Sequence, residues 1–459
     1  MSDLPLSSIR VVDLSRVFAM PYAGAYLASL GAEVIKVDTH HAQFMDTTRA
    51  GAGPFPDNDP GGPYWERGGT FQTLNRGKRS LTLDLRSEAA QTLVRELVRI
   101  SDVVLENFTP RVMARFGLDY ASLRSVKGDL IMVSNTGYGH SGPWSNFGAM
   151  ASALEPTHGT GAFMGYLDRD AGGGLVPGGM PNKMGNSYTD FLATWTALTA
   201  IMASLLHRAC TGRGMWIDLA MYQVGVSFVG EGLLDFAFNG RRTRRMGNRH
   251  QSMSPHGCYP CMGKDEWVTL AVRDDADWQA FCRVLDRAGY SRDVRAERFA
   301  DPLGRLQHQD ELDEIIARWT STRGQYQVME ALQAVGVPAG PVLNARGLLA
   351  DPHFRARGFF EAVEHPSETG MGRREYLGRG WKLSGNDLAM RRPAPLLGED
   401  NEYVLREVLG LTRSDVESLY REGLIGNTSA GGREQSTVPL ERQVELGWIV
   451  ERDPGHQPR

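Results

Sequence analysis

The chain has 459 residues, 41% of them hydrophobic and 23% charged, and carries a net charge of −4. That length exceeds one small core and points to two domains, while the mildly acidic balance provides no basic footprint for nucleic acid. No signal-like segment precedes the first apolar run, and the longest apolar stretch, 191–206, falls short of a bilayer span, so a cytoplasmic protein with no membrane partner is expected.

In chain order, short apolar runs predict strands over 9–14, 33–37, 102–105 and 129–134, with helices over 22–30 and 87–99 between them. The Gly/Pro-rich excursion 50–69 reads as loop. Apolar strands alternating with helices imply a parallel sheet covered on both faces, whose ligands bind beyond the strand C-termini. Ser15, Arg16 and Val17, then Glu106, Asn107 and Phe108, then 135–139 are therefore expected around one crevice. Residues 155–185, without periodicity, read as an active-site loop.

Asp190 follows this loop and opens a long apolar helix in which Phe191, Trp195, Leu198, Met202 and Leu205 recur at helical spacing. Ala193, Ala197, Ala200 and Ala203 form a small-residue face, His207 and Arg208 suit the last turn, and Gly212 supplies the stop. A carboxylate at a helix start is ordinarily an N-cap. It also lies beside unpaired backbone N–H groups able to hold a developing oxyanion. A strand from Met215 and a helix over 221–238 follow.

The basic run Arg241, Arg242, Arg244 and Arg245 marks a boundary. Beyond it, a strand over 266–272 and helices over 278–288, 309–320 and 325–335 form a smaller α+β unit, closed by a stiff linker over 336–341. Four cysteines are too few for a disulfide framework. Cys258 and Cys261, following His250 and His256, formally allow zinc, but one Cys pair in a strand-like segment reads as a reduced structural pair, with no metal. The expected division is 1–225 for the first part of a large α/β domain, 226–255 for a linker, 256–336 for the small domain, 337–426 for the return linker and the rest of the large domain, and 427–459 for a polar, partly disordered tail.

Several motifs in order resemble the class III CoA-transferase family, which includes formyl-CoA transferase, carnitine CoA-transferase and α-methylacyl-CoA racemase. They are LGAEVIKV (30–37), NRGKRSLTLD (75–84), SDVVLENFTP (101–110), GYGHSGP (137–143), Asp190 with HRACTGRG (207–214), VPAGPV (337–342), DPHFRARG (351–358) and APLLGED (394–400). The resemblance covers about residues 5–425 and implies a Rossmann-like, CoA-binding large domain with a smaller α+β domain, in an interlocked-ring dimer of identical or similar subunits. It places the catalytic aspartate at Asp190, nucleotide contacts at Asn107, Phe108 and Arg115, and a basic pair near the phosphates at Lys78 and Arg79. Val17, at the first strand's end, joins the CoA-binding set. No cofactor is bound permanently; acyl-CoA and a free carboxylic acid are the substrates.

The implied chemistry is covalent: Asp190 attacks a thioester to form a mixed anhydride, CoA thiolate converts this to an aspartyl-CoA thioester, and an acceptor acid reverses the steps. The apolar and small residues of 150–185, among them Phe163, Met164, Tyr166 and Leu175, point to a succinyl-CoA donor and a larger, aromatic or substituted dicarboxylic acceptor. Phe18, Thr39 and Thr136 depart from formyl-CoA transferase, as does the missing tetraglycine loop near 249–258, and these departures weigh against formyl and oxalyl substrates. Two rivals stand beside this reading. A racemase or epimerase needs a proton-shuttling histidine where this chain has Met150, with His158 eight residues on. A non-catalytic subunit of a heteromeric transferase is allowed by the unusual glycines 172–174, 178 and 179.

Overall fold

A computed structural model describes residues 4–51, 53–166, 168–169, 175–176, 182, 184–185, 188–242, 245–386, 388–432 and 435–451. The chain divides into two compact units, one of Met1–Thr160, Lys183–Gly230 and Gly358–Arg459, the other of Gly161–Asn182 and Glu231–Arg357.

In the first unit, strands β1 (Arg10–Asp13), β2 (Glu33–Asp38), β3 (Arg79–Thr82), β4 (Val103–Glu106), β5 (Ile131–Thr136) and β6 (Met215–Ala220) form one sheet, ordered β3-β2-β1-β4-β5-β6. Every pairing is parallel. Side chains alternate between two cores: Val11, Val103, Leu105, Ile131 and Val133 on one face, Val12, Val104 and Met132 on the other. Both faces are covered by helices, which is why the strands read as unbroken apolar runs. The order reverses between β1 and β4, the switch point at which such sheets open a crevice.

Helices α1 (Ala19–Ser29), α2 (Gly69–Asn75), α3 (Glu88–Arg99), α4 (Arg111–Arg115), α5 (Tyr120–Val126), α6 (Ala151–Thr157), α7 (Thr160–Phe163), α8 (Tyr188–Thr211) and α9 (Met221–Val226) follow the strands. By length and composition α8 passes for a membrane span. Its Ala193, Ala197, Leu198 and Ile201 are buried, and it packs on α1 and β5. Phe18, Tyr22 and Tyr26, one turn apart, meet Phe191 and Trp195 at centroid distances of 5.6, 5.7 and 4.7 Å.

The second unit has a three-stranded antiparallel sheet of β7 (His256–Pro260), β8 (Trp267–Ala271) and β9 (Ala339–Val342), with β8 central. Trp278, Phe281, Phe299 and Trp319 fill its core.

The expected boundaries shift in four places. The run 336–341 is not a linker: Ala339–Val342 is an edge strand, where Pro341 is tolerated because no partner needs its missing N–H. The boundary precedes the basic run, since Gly230–Asn239 is helical and the second unit resumes at Glu231; Thr243 and Arg244 lie outside the described residues. Residues 155–185 are not all loop, because α6 and α7 occupy their start; Gly172–Gly174 and Gly178–Gly179 lie outside the described residues. The described part of the tail is not without regular structure. It includes a helix, Leu440–Glu445, and within the first unit it is bonded to earlier residues by Asn58 Nδ2 donating to Val438 O (2.9 Å) and by Ala430 bridging His41.

Candidate active site

The strand ends at the switch point are held by buried charges. Lys36 Nζ donates to Ser15 O and to Asp46 (2.9 Å), and Asp46 accepts from Val17 N at 3.3 Å. Both partners of this ion pair are buried. Val17 stands at φ 66, a left-handed conformation that a β-branched residue adopts only under constraint. Across the switch point, Asn107 Oδ1 accepts from Arg16 N (2.8 Å) and its Nδ2 donates to Arg16 O (2.7 Å), so one amide clamps the ends of β1 and β4 together.

Beyond these ends lies a cavity of about 340 Å³. It is lined by Val17, Phe18, Asn107, Phe108, Asn135, Thr136, Ser145, Met150, Ser152, Asp190 and neighbours. Asp190 is half-buried in the first turn of α8, where the helix dipole favours a carboxylate. Thr194 Oγ1 donates to Asp190 O and to Ala19 O (2.9 and 2.8 Å), fastening this turn to the start of α1. Asn135 is buried, and its amide oxygen has no hydrogen-bond partner among the described residues. No described residue lining the cavity is cationic or a histidine.

A second cavity, of about 260 Å³, shares Phe108 as a lining residue with the first and is lined by Arg16, Thr39, Phe44, Arg86, Val112 and Phe116 among others. The Arg16 guanidinium lies 5.5 Å from the Phe108 ring centroid. Arg115 is exposed and makes no ion pair with a described residue, on the same short helix as Val112.

Lys78 and Arg79 stand elsewhere. Lys78 is fully buried, donating to Asp13 (2.6 Å) and Asn75 (2.8 Å), and Gly24 of α1 leaves room for this pair: a Cβ there would lie 3.0 Å from both partners. Arg79 begins β3, at the sheet edge opposite the cavities, bound to Glu33 (3.0 Å) and Asp400 (2.7 Å). Neither lines either cavity, a departure from the expected phosphate contact. Three carboxylates of the fold itself, Asp13 for Lys78 and Glu33 and Asp400 for Arg79, hold this basic pair.

Glu106 ends β4 beneath the Asn107–Phe108 shelf and accepts from Phe108 N at 2.9 Å. Burial pushes its carboxyl up to about 7, against the pull of the Ser134 hydroxyl and the Phe108 N–H. A carboxyl raised from 4.5 in this way stabilises the fold fully below pH 4.5 and loses that contribution as pH rises through 7. Glu106→Gln is therefore expected to match wild type near pH 4.5 and to exceed it by ~3 kcal/mol at pH 8. Denaturant titrations at the two pH values read this difference directly, and parallel curves would refute it.

The sequence profile of CoA-transferase family III matches residues 6–401. The chain belongs to that family. Among curated proteins it is similar to a succinate–glutarate CoA-transferase of Agrobacterium fabrum, 34% identical over 89% of this chain and 97% of that protein. A succinyl-CoA–D-citramalate CoA-transferase of Chloroflexus aurantiacus is 31% identical over 92% and 98%. Among solved structures, a CaiB/BaiF family protein from Brucella suis superposes with a TM-score of 0.76 at 30% identity, covering 88% of this chain and 100% of that one.

Within this family III enzyme, Val17, Asn107, Phe108, Asn135, Thr136 and Gly137, from the three strand ends expected around one crevice, line one cavity of the first unit, and Asp190 lines it with them. Met150 lines that cavity and is well exposed, whereas His158 is buried and bonded to Thr189 Oγ1 at 3.0 Å. The proton shuttle that a racemase needs is thus not placed by either residue. Phe163, Met164 and Tyr166 belong to the second unit and are not part of the cavity lining, and the Leu175 side chain lies outside the described residues. Cys258 and Cys261 are free thiols of the second unit, both pushed up by burial. Sequence reasoning misses Glu155. It is buried and accepts from Tyr188 N (2.9 Å) and Met184 N (3.2 Å), so one N–H expected to be open for an oxyanion is already taken.

Proposed function

We propose that this family III enzyme moves CoA from succinyl-CoA to a free dicarboxylic acid through acyl and CoA adducts of Asp190. One observation carries the reading: a carboxylate in the first turn of a long helix shares a cavity with the Asn107–Phe108 shelf at the sheet's switch point. CoA needs two joined compartments, one for its nucleotide and one for the pantetheine arm and thioester. The smaller cavity suits the nucleotide, with Phe108 and Phe116 as apolar walls and Arg16 and Arg115 as cations for its phosphates. The arm passes Phe108 and brings the thioester to Asp190.

Asp190 attacks the thioester carbonyl; the C–S bond breaks, giving the acyl-aspartyl anhydride and CoA thiolate. The thiolate attacks the aspartyl carbonyl, releasing succinate and leaving aspartyl-CoA. The acceptor carboxylate attacks this thioester, breaking the C–S bond to give a mixed anhydride and CoA thiolate; the thiolate then attacks the acceptor's carbonyl, giving the new acyl-CoA and freeing the Asp190 carboxylate. An anhydride conserves the activation of the thioester, which an ester to serine would discard. The Asn135 amide, unsatisfied in its oxygen and lining the cavity, suits a pantetheine or acyl hydrogen bond, because a buried polar group without a partner is costly until a ligand supplies one. Succinyl-CoA as donor is supported by the activities named for the two relatives.

An interlocked dimer and a cytoplasmic location belong to the same reading. Leu233, Leu234, Phe236 and Phe238 stand exposed on one helix, a surface that suits cover by another subunit. Native mass spectrometry distinguishes a dimer of this chain from an assembly needing a second, similar subunit.

The reading is tested by incubating the protein with succinyl-CoA and a panel of four- to six-carbon and aromatic dicarboxylates. New acyl-CoA is followed by chromatography, and hydroxylamine trapping is mapped by peptide mass. Exchange with a modified Asp190 peptide is expected. Exchange with an unmodified Asp190 peptide would overturn the covalent route, and adduct without exchange to any acid would overturn the acceptor class.

A further inference from the structure

Two buried polar side chains hold the start of α8 from outside it, and the chemistry above makes no use of either. Both lie at the end of α6. Glu155 is fully buried and its two carboxylate oxygens accept from the backbone N–H groups of Tyr188 (2.9 Å) and Met184 (3.2 Å). His158, three residues on, is 2% exposed, and its Nε2 meets Thr189 Oγ1 at 3.0 Å. Thr189 is itself buried, and its neighbour in sequence is Asp190. Space for the imidazole is made by Gly225 of α9, where a Cβ would fall 2.2 Å from His158 Cδ2.

This is more than a helix end requires. The first N–H groups of a helix are ordinarily satisfied by a residue just before it or by water. Here a carboxylate on another helix does it, at the cost of burying a charged group in a unit that has cheaper means of capping. Burial also pushes the His158 imidazole down, which keeps it a neutral partner for a hydroxyl. Charge-assisted bonds to backbone N–H groups are short and directional, so they fix position as well as supply energy. The two contacts grip residues 188 and 189, the two that precede the acyl-accepting carboxylate.

We propose that Glu155 and His158 are positioning residues that set where the Asp190 carboxylate stands relative to the thioester. The inference rests on the Asp190 reading above. Neither residue touches substrate; they act through the first turn of α8. Nucleophilic attack needs the carboxylate oxygen near 3 Å from the thioester carbon, and a misplacement of about 1 Å costs on the order of 100-fold in rate. The grip on CoA lies on other elements, at Asn107 and Phe108, so loosening α8 affects the chemical step and leaves binding intact.

Glu155→Gln keeps the shape but sets an NH₂ against one of the two N–H groups, breaking one bond of the pair. The expected result is a kcat for CoA exchange ~10- to 100-fold lower with KM for acyl-CoA within about twofold of wild type. The rate of hydroxylamine-trappable adduct formation falls in parallel. Thr189→Val, which removes the hydroxyl that His158 meets, moves kcat the same way with KM unchanged, and it carries the decision if Glu155→Gln does not fold. A wild-type kcat in the variant that decides, or a kcat loss matched by an equal rise in KM, overturns the proposal. Asp190→Asn run alongside separates the two levels. If it is active, the covalent reading falls and this one with it; if it is inactive while Glu155→Gln turns over normally, only the positioning role falls.

Discussion

Replacing Asp190 by asparagine is expected to lower kcat for CoA exchange by about 10,000-fold or more, as loss of a covalent nucleophile does. Asparagine is chosen because it caps a helix as well as aspartate does. If the side chain served only the start of α8, the variant would therefore turn over normally. Loss of one negative charge at the helix N-terminus costs ~0.3–1 kcal/mol, so thermal unfolding moves by no more than a few degrees. Affinity for free CoA is expected within about threefold of wild type, because the compartments proposed for the nucleotide and arm are walled by residues at the ends of β1 and β4, and the proposed pose brings only the acyl end to Asp190. Isothermal titration with CoA and an exchange assay on the same preparation give both quantities. Retained exchange would remove the covalent step; lost CoA binding would turn Asp190 into a structural residue of the cavity.

Asp190 is legible because local pattern places it: a run without periodicity gives way to a long apolar repeat, and a carboxylate sits at the join. The cavity wall is legible for a topological reason. Val17, Asn107 and Phe108 each follow a short apolar strand, and parallel strands deliver their C-terminal residues to one edge. What escapes the sequence depends on partners distant along the chain. β3 carries only Leu81 as an apolar side chain among Arg79, Ser80 and Thr82, so no run announces it, although it pairs with β2 throughout. α6 contains Pro156 and is followed by Gly159, which breaks the helical pattern, and its Glu155 and His158 acquire meaning only from Tyr188, Thr189 and Gly225. The edge strand at 339–342 holds both Gly340 and Pro341, and only its place beside β8 makes it a strand.

Lys78 is the sharpest of these cases, and its loss is expected to be the most destabilising single change near the site. A lone lysine in a basic pair is ordinarily a surface charge, and composition holds nothing against that reading. Its partner Asp13 lies 65 residues earlier, on the central strand. Asp13 also accepts from the Ser15 N–H at 3.0 Å, and the Ser15 carbonyl in turn accepts from Lys36, whose carboxylate partner Asp46 receives the Val17 N–H. The pair thus underlies the wall of the Asp190 cavity without reaching it. Lys78→Met strands the Asp13 carboxylate in a site closed to water and is expected to cost ~3–5 kcal/mol, read as a shift in the urea midpoint. Asp13→Leu strands the ammonium and costs a similar amount. In the double variant neither charge is left alone, so the loss falls well short of the two singles combined. If instead Lys78 served the CoA phosphates, Lys78→Met would leave the midpoint in place and raise the KM for acyl-CoA in a salt-dependent way. Strictly additive midpoint shifts would remove the pair itself. The two readings assign opposite roles to one side chain, stability against substrate grip, and the same variant measured in urea and in the exchange assay decides between them.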